Sequence, residues 1–218
     1  MVKTASTPKA HKDGDTEARI LHAARTVFIR RGTAGARMQE IAEEAGVNQA
    51  LLHYYFRSKE RLSEAVFRDT AGRMFPVLIQ TLASDASIGE KVERIVEAYL
   101  DTLTRSPFLP GYVISELHHH PERIPQLISS ATGIDLSSAM KPVLEKLDRQ
   151  LASEARAGRV RRISAQQFLA NLLSLCVFPF AAQPMLRAAF GLDDDGFAKF
   201  IAQRRKELPQ FILNALAP

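Results

Sequence analysis

Between positions 48 and 59 the chain gathers hydrogen-bonding side chains on a short apolar frame. Asn48 and Gln49 carry amides, His53 an imidazole, Tyr54 and Tyr55 phenols, and Lys59 an ammonium. These groups suit the edges and phosphates of a nucleic-acid duplex. A glutamine amide can donate and accept at once against adenine, and an imidazole can donate to a purine N7 or a phosphate. Ala50 or Leu51 can pack on a thymine methyl. Phenol hydroxyls, and an ammonium at a helix N-terminus, are donors to phosphate oxygens. Tyr55 reads both ways, as contact or as core, because one end of its ring is apolar and the other polar.

Other constellations carry less chemistry. Glu116 and His120 stand four apart, so they share a face if that segment is helical. His118, His119 and His120 cannot all point one way, and Pro121 ends the run. The triplet is expected to give one or two imidazoles to a pocket wall and the rest to water, and no metal site. Cys176 lies among Leu172, Leu173, Leu175, Val177 and Phe178 and reads as a small buried hydrophobe. Asp193, Asp194 and Asp195 read as the acidic start of a last helix rather than a calcium loop. Arg159, Arg161 and Arg162 read as a solvated turn. No phosphate loop, paired CxxC, HExxH or nucleophile elbow occurs, so an enzyme is not expected, and no cofactor is called for.

The elements that must position residues 48–59 follow from apolar spacing. Ile20, Leu21, Ala24, Val27 and Phe28 form one helical stripe that stops at Gly32. A short helix over 38–45 ends at Gly46, and a third follows the N-cap Asn48 to about Tyr55. A fourth begins after Ser58, with Pro76 expected to kink or end it. Two short helices joined by a three-residue turn containing glycine make a helix-turn-helix. Gly46 takes a positive φ, Ala42 lets the helices cross closely, and Ile41, Ala45, Val47 and Leu52 form the wedge between them. Further helical segments are expected at about 87–105, 111–120, 121–131, 135–157, 164–178, 181–190 and 194–216. Alternating strand patterns are absent, so the fold class is all-α.

The 218 residues allow a substantial core without disulfides, and the single cysteine fits a reducing cytoplasm. Net charge is +5, and residues 1–62 hold 11 Lys/Arg against 7 Asp/Glu. A basic N-terminal unit on a near-neutral body suits a polyanion partner. No secretory signal or membrane span is apparent, so no membrane role is expected. Three parts are expected: a flexible basic tail over 1–13 with Lys3, Lys9, His11 and Lys12, a helix-turn-helix domain over 14–62, and a helical domain over 63–218.

Gly32, Ile41-Ala42, Ala45-Gly46-Val47, Leu52-His-Tyr-Tyr-Phe56 and Ser58-Lys59-Glu60-x-Leu62 resemble the TetR family of bacterial transcriptional regulators. The resemblance covers 15–67 closely and rests only on helix count and length thereafter. It implies a homodimeric regulator that binds palindromic double-stranded DNA, with Tyr54, Tyr55 and Lys59 at phosphate-contact positions. Where the family often opens the second helix with Thr or Ser, this chain has Ala36 and Arg37. Arg37 can hold a phosphate but cannot cap in the same way. The aromatic usual at position 53 is His53 here. The DNA-contact set is thus Arg37, Asn48, Gln49, Ala50, His53, Tyr54, Tyr55 and Lys59.

The segment 164–178 is apolar nearly all round, and the last helix carries Phe197, Phe200, Ile201, Arg204, Leu208 and Phe211 near one face. In the resembling family these two helices form the dimer interface. Phe168, Leu172, Phe197, Phe200, Arg204 and Leu208 are the expected interface residues. The expected ligand is a small, mostly apolar organic molecule that releases the DNA. Phe75, Tyr99, Leu103, Phe108, Tyr112, Leu117 and Phe178 are its candidate walls, with Leu78 and Phe180 beside them. The rival readings are a non-specific architectural DNA binder and a regulator without inducer.

Overall fold

The computed structural model describes residues 8–218, with side chains from Gly14 onward. The described residues form eleven helices and no strand. They are α1 (Pro8–Gly35), α2 (Met38–Ala45), α3 (Gln49–Tyr55), α4 (Lys59–Ala83), α5 (Ile88–Arg105), α6 (Leu109–His119), α7 (Arg123–Thr132), α8 (Leu136–Arg156), α9 (Ala165–Ala181), α10 (Gln183–Phe190) and α11 (Asp194–Leu216). The chain divides between Asp69 and Thr70 into two compact units, a break that falls within α4. Helix α1 opens at Pro8, inside the stretch expected as a tail. Lys3 lies outside the described residues, as do the side chains of Lys9, His11 and Lys12.

In the first unit, Ile20, Ala24, Val27 and Phe28 of α1, Ile41, Ala42 and Ala45 of α2 and Leu52 of α3 form a buried core. Fully burying the isoleucine, valine, phenylalanine and leucine side chains stabilises by about 1.5–3 kcal/mol each. Gly32 interrupts α1 with φ 68° and ψ 167°, where the sequence pattern stops the apolar stripe. Ion pairs close the outer side of the α1–α2 contact: Arg30 lies 2.7 Å from Glu44, and Arg31 3.5 Å from Glu40. Arg25 and Asp69 form a further pair.

In the second unit α5 packs against α9 and α11, while α9 also meets α6, α8 and α10. Helix starts are set by short polar side chains. Ser87 and Glu90 make a reciprocal capping box on α5. Asp135, Ser164 and Asp193 each accept a backbone N–H at the head of α8, α9 and α11. The aspartate triplet is thus the acidic first turn of α11, with Arg187 paired 2.7 Å from Asp194. Lys91 is fully buried, and its Nζ donates to the Leu82 carbonyl at 3.0 Å and to Gln150 at 2.6 Å. That satisfies an ammonium that burial otherwise penalises, and it ties α8 to the α4–α5 turn.

Prolines delimit less than expected. Helix α4 runs through Pro76 to Ala83, and α9 runs through Pro179 to Ala181. Each proline removes one intrahelical hydrogen bond, and continuing side-chain packing outweighs the loss: Leu78 and Leu82 follow Pro76 into the core, and Phe180 follows Pro179. No single helix among the described residues is long and apolar enough to cross a membrane. Helices α9 and α10 reach that length only across a 70° bend.

Candidate nucleic-acid interface

The turn between α2 and α3 is built as its residues dictate. Gly46 sits at φ 63°, ψ 37°, the left-handed region that a glycine enters without steric cost. Its N–H bonds to the Glu43 carbonyl at 3.1 Å, and the Val47 N–H to that of Ala42 at 3.0 Å. Arg19 of α1 adds a clamp that sequence patterning missed. Its Nη2 donates to the Ala45 carbonyl at 2.8 Å and to the Gly46 carbonyl at 3.3 Å. A cation there also meets the negative end of the α2 dipole. The partners are 26 and 27 positions away in sequence, so no local signal could have revealed them.

Asn48 starts α3: its Oδ1 accepts the Leu51 N–H at 2.7 Å. The oxygen is therefore spent on the cap, and the amide NH2 remains for an outside acceptor. Beyond it, Gln49, Ala50, His53 and Tyr54 are exposed. Tyr54 is 78% exposed. Leu52 on the opposite face is fully buried, and Phe56, the C-cap, is 6% exposed. Tyr55 is half-buried, its ring edge-on to Tyr54 and tilted on Phe56. The helix thus divides cleanly into an anchoring side and an outward polar side.

Two candidate phosphate donors differ in availability. Arg37 is exposed at the N-cap of α2, and its side chain makes no capping bond. Lys59 opens α4, but its Nζ donates to the Ala34 carbonyl at 2.8 Å. It pins the end of α1 as well as offering two remaining N–H bonds. Arg57, between α3 and the Ser58 cap, is exposed and was not singled out by spacing. Its place in the α3–α4 loop, one residue after the aromatic run, was the available signal.

The expected pocket walls in the second unit separate into three groups. Tyr99, Leu103 and Tyr112 are buried, with Leu78 and Phe180, and Phe75 and Phe108 are half-buried. Burial pushes the Tyr99 hydroxyl well above its ordinary range. Leu117 and Phe178 are instead 45% and 53% exposed, so they belong to the outer surface. His118, His119 and His120 are all exposed and line no interior wall, contrary to expectation. The reason is position: they fall at the end of α6, where His119 turns back to the Ser115 carbonyl.

The expected dimer residues also separate. Phe168, Leu172, Phe197 and Leu208 are 1%, 0%, 7% and 3% exposed within the chain itself. They are the core of the second unit, not its outer face. An all-apolar helix has one side for its own core and another for outside, and residue type does not distinguish them. Phe200 and Arg204 remain half-buried, on a shallow groove of about 330 Å³ shared with Leu175, Gln203, Glu207 and Phe211. The Arg204 guanidinium donates twice to the Leu175 carbonyl, at 2.8 and 3.1 Å, and so joins α11 to α9. Cys176 is fully buried, and burial pushes its thiol up to about 12, with Arg204 opposing in part. A larger open cleft of about 1070 Å³ lies at the end of α8, beside Arg156, Arg161 and Ile163.

A glycine-turned helix pair with a polar outward second helix defines a helix-turn-helix protein. A family model described as bacterial regulatory proteins, tetR family, matches residues 20–66. A second, described as tetracyclin repressor-like, C-terminal domain, matches residues 89–208. The chain belongs to the TetR family. It is 33% identical over 115 residues to the HTH-type transcriptional regulator BetI of Rhizobium meliloti, covering 53% of this chain and 55% of BetI. It is 26% identical over 180 residues to the HTH-type transcriptional regulator Mb3439c of Mycobacterium bovis, covering 83% and 80%. The chain spans about half the length of such relatives as BetI and the repressor SCO4008 of Streptomyces coelicolor, 55% and 57%. Among solved structures, HlyIIR, a hemolysin II transcriptional regulator, superposes with a TM-score of 0.57 at 23% identity, covering 94% of this chain and 98% of that one. FadR of Bacillus subtilis, in complex with stearoyl-CoA, gives 0.56 at 15% identity, covering 90% and 97%. At these identities the likeness is one of fold. The relatives named are regulators, not enzymes.

Proposed function

We propose that this chain is a cytoplasmic, DNA-binding transcriptional regulator, a repressor that grips a palindromic operator as a homodimer and releases it on binding a small organic ligand. The observation that carries the reading is the outward face of α3, where Gln49, Ala50, His53 and Tyr54 stand exposed on a helix fixed by buried Leu52. Such a helix fits the major groove, with Arg37, Asn48, Tyr54, Tyr55 and Lys59 on flanking phosphates. Two copies related by a two-fold axis would place their α3 helices in successive grooves about 34 Å apart.

The dimer reading is supported by apolar surface left outside the second unit's core on α9 and α11. Phe178 and Phe211 are 53% and 60% exposed, and Phe211 lines the groove at Phe200 and Arg204. For the ligand, the support is the apolar character of the second unit's interior, where Tyr99, Leu103 and Tyr112 are buried and Phe75 and Phe108 half-buried. A structure of the B. subtilis FadR fold with stearoyl-CoA adds to it. Release requires differential affinity. Moving the population from mostly bound to mostly free takes about 5.5 kcal/mol, and DNA must weaken ligand binding by the same factor.

A competition gel shift tests the core of this reading, using the DNA beside the chain's own gene against unrelated duplex. Preferential retention of the cognate duplex is expected. In Gln49→Ala the sequence preference should fall by about 1–3 kcal/mol while affinity for unrelated DNA stays. Equal binding to all duplexes, lost uniformly with salt, points to an architectural binder instead. A ligand library that never moves the melting temperature points to a regulator without inducer.

A further inference from the structure

We infer that His53 reads an exocyclic amino group in the major groove, adenine N6 or cytosine N4, through an Nε2 that acts as an acceptor. This rests on the DNA-binding reading above and specifies one contact within it. The His53 Nδ1 lies 3.3 Å from the Arg57 carbonyl oxygen, four residues on. A carbonyl oxygen only accepts, so the contact requires the ring proton on Nδ1. A neutral imidazole carries a single N–H, which leaves a lone pair on Nε2. His53 is exposed, and Nε2 has no protein partner among the described residues.

The acceptor state excludes most alternatives. Guanine N7 and O6, thymine O4 and phosphate oxygens are themselves acceptors, so none can pair with that lone pair. In the major groove only adenine N6 and cytosine N4 donate. This reverses the donor role that an imidazole invites from sequence alone. The Arg57 carbonyl does more than fix the tautomer. It lies at the end of α3, next to the Phe56 cap, and so restrains the ring at one edge while the other faces outward. Gln49 stands one turn earlier on the same face of α3.

The test is selection of binding sequences from a randomised duplex pool at pH 8. Each half-site should hold one position filled by A or C that becomes degenerate in His53→Ala, while the other positions stay. Titrations with base analogues then isolate the atom. Replacing that adenine by purine, which lacks the amino group, should weaken the wild type about fivefold, as befits one hydrogen bond. The corresponding 2-pyrimidinone serves if the position is cytosine. His53→Ala should be indifferent to either, and 7-deazaadenine should leave both proteins unmoved. Loss of affinity on removing a purine N7, or a selected sequence unchanged in His53→Ala, overturns the assignment while leaving the operator reading intact. A pool from which no sequence enriches overturns both. The exposed position lets His53→Ala fold, which circular dichroism verifies.

Discussion

Gly46→Ala isolates the cost of the turn that aims α3. The backbone there holds φ 63° and ψ 37°, where an L side chain meets its own following carbonyl. A methyl built on Gly46 finds only the Arg19 Nη2, at 3.6 Å, an ordinary contact. The penalty is thus conformational rather than a clash, and about 1–2 kcal/mol is expected. At a urea slope of about 2 kcal/mol per molar, the midpoint for the first unit should fall by about 0.5–1 M. Gly46→Asn should recover part of the loss, because asparagine visits this region more readily. The assay is equilibrium urea unfolding followed by circular dichroism, with operator affinity measured well below the transition. Affinity should fall further than the folded fraction does, since the same dihedrals set the angle of α3. Two results refute the reasoning: a loss in Gly46→Ala no larger than a few tenths of a kcal/mol, or Asn proving worse than Ala.

Tyr54→Phe should leave the fold intact and weaken operator binding with the salt slope unchanged, because a phenol carries no charge, whereas Arg37→Ala should reduce that slope by about one unit, measured by titration at several salt concentrations. Phe200→Arg should convert the proposed dimer to monomer in sedimentation while circular dichroism stays normal. Leu172→Arg should instead unfold the second unit, since a fully buried unpaired charge costs several kcal/mol. The Asp135 carboxyl is held down to about 2, first by the Ser138 backbone N–H and then by the hydroxyls of Ser138 and Ser137. Its cap on α8 is therefore present above the ordinary carboxylate range and lost as pH falls from about 4 towards about 2. Acid titrations of stability should show that segment of the slope in the wild type and lack it in Asp135→Asn.

What the sequence determined by itself was local. The extent of α2 and α3, the left-handed Gly46, the Asn48 and Ser58 caps and the acidic head of α11 each depend on residues within four positions of one another. Hydrogen bonds of that reach leave a readable pattern. The outward polar face of α3 was legible for the same reason: helical periodicity fixes which residues oppose Leu52. Tertiary structure decided what depends on distant partners. Arg19 clamps the α2–α3 turn from 26 residues away, and Lys59 spends one N–H on Ala34 from 25 residues away. The prolines at 76 and 179 became interior to helices because the packing of the following turns outweighs one lost hydrogen bond each. Above all, α9 and α11 carry apolar residues on more than one side. Only packing against α5 and α8 assigned Phe168, Leu172, Phe197 and Leu208 to the core and left Phe178, Phe200 and Phe211 to the surface, because the hydrophobic effect rewards burial without specifying against what.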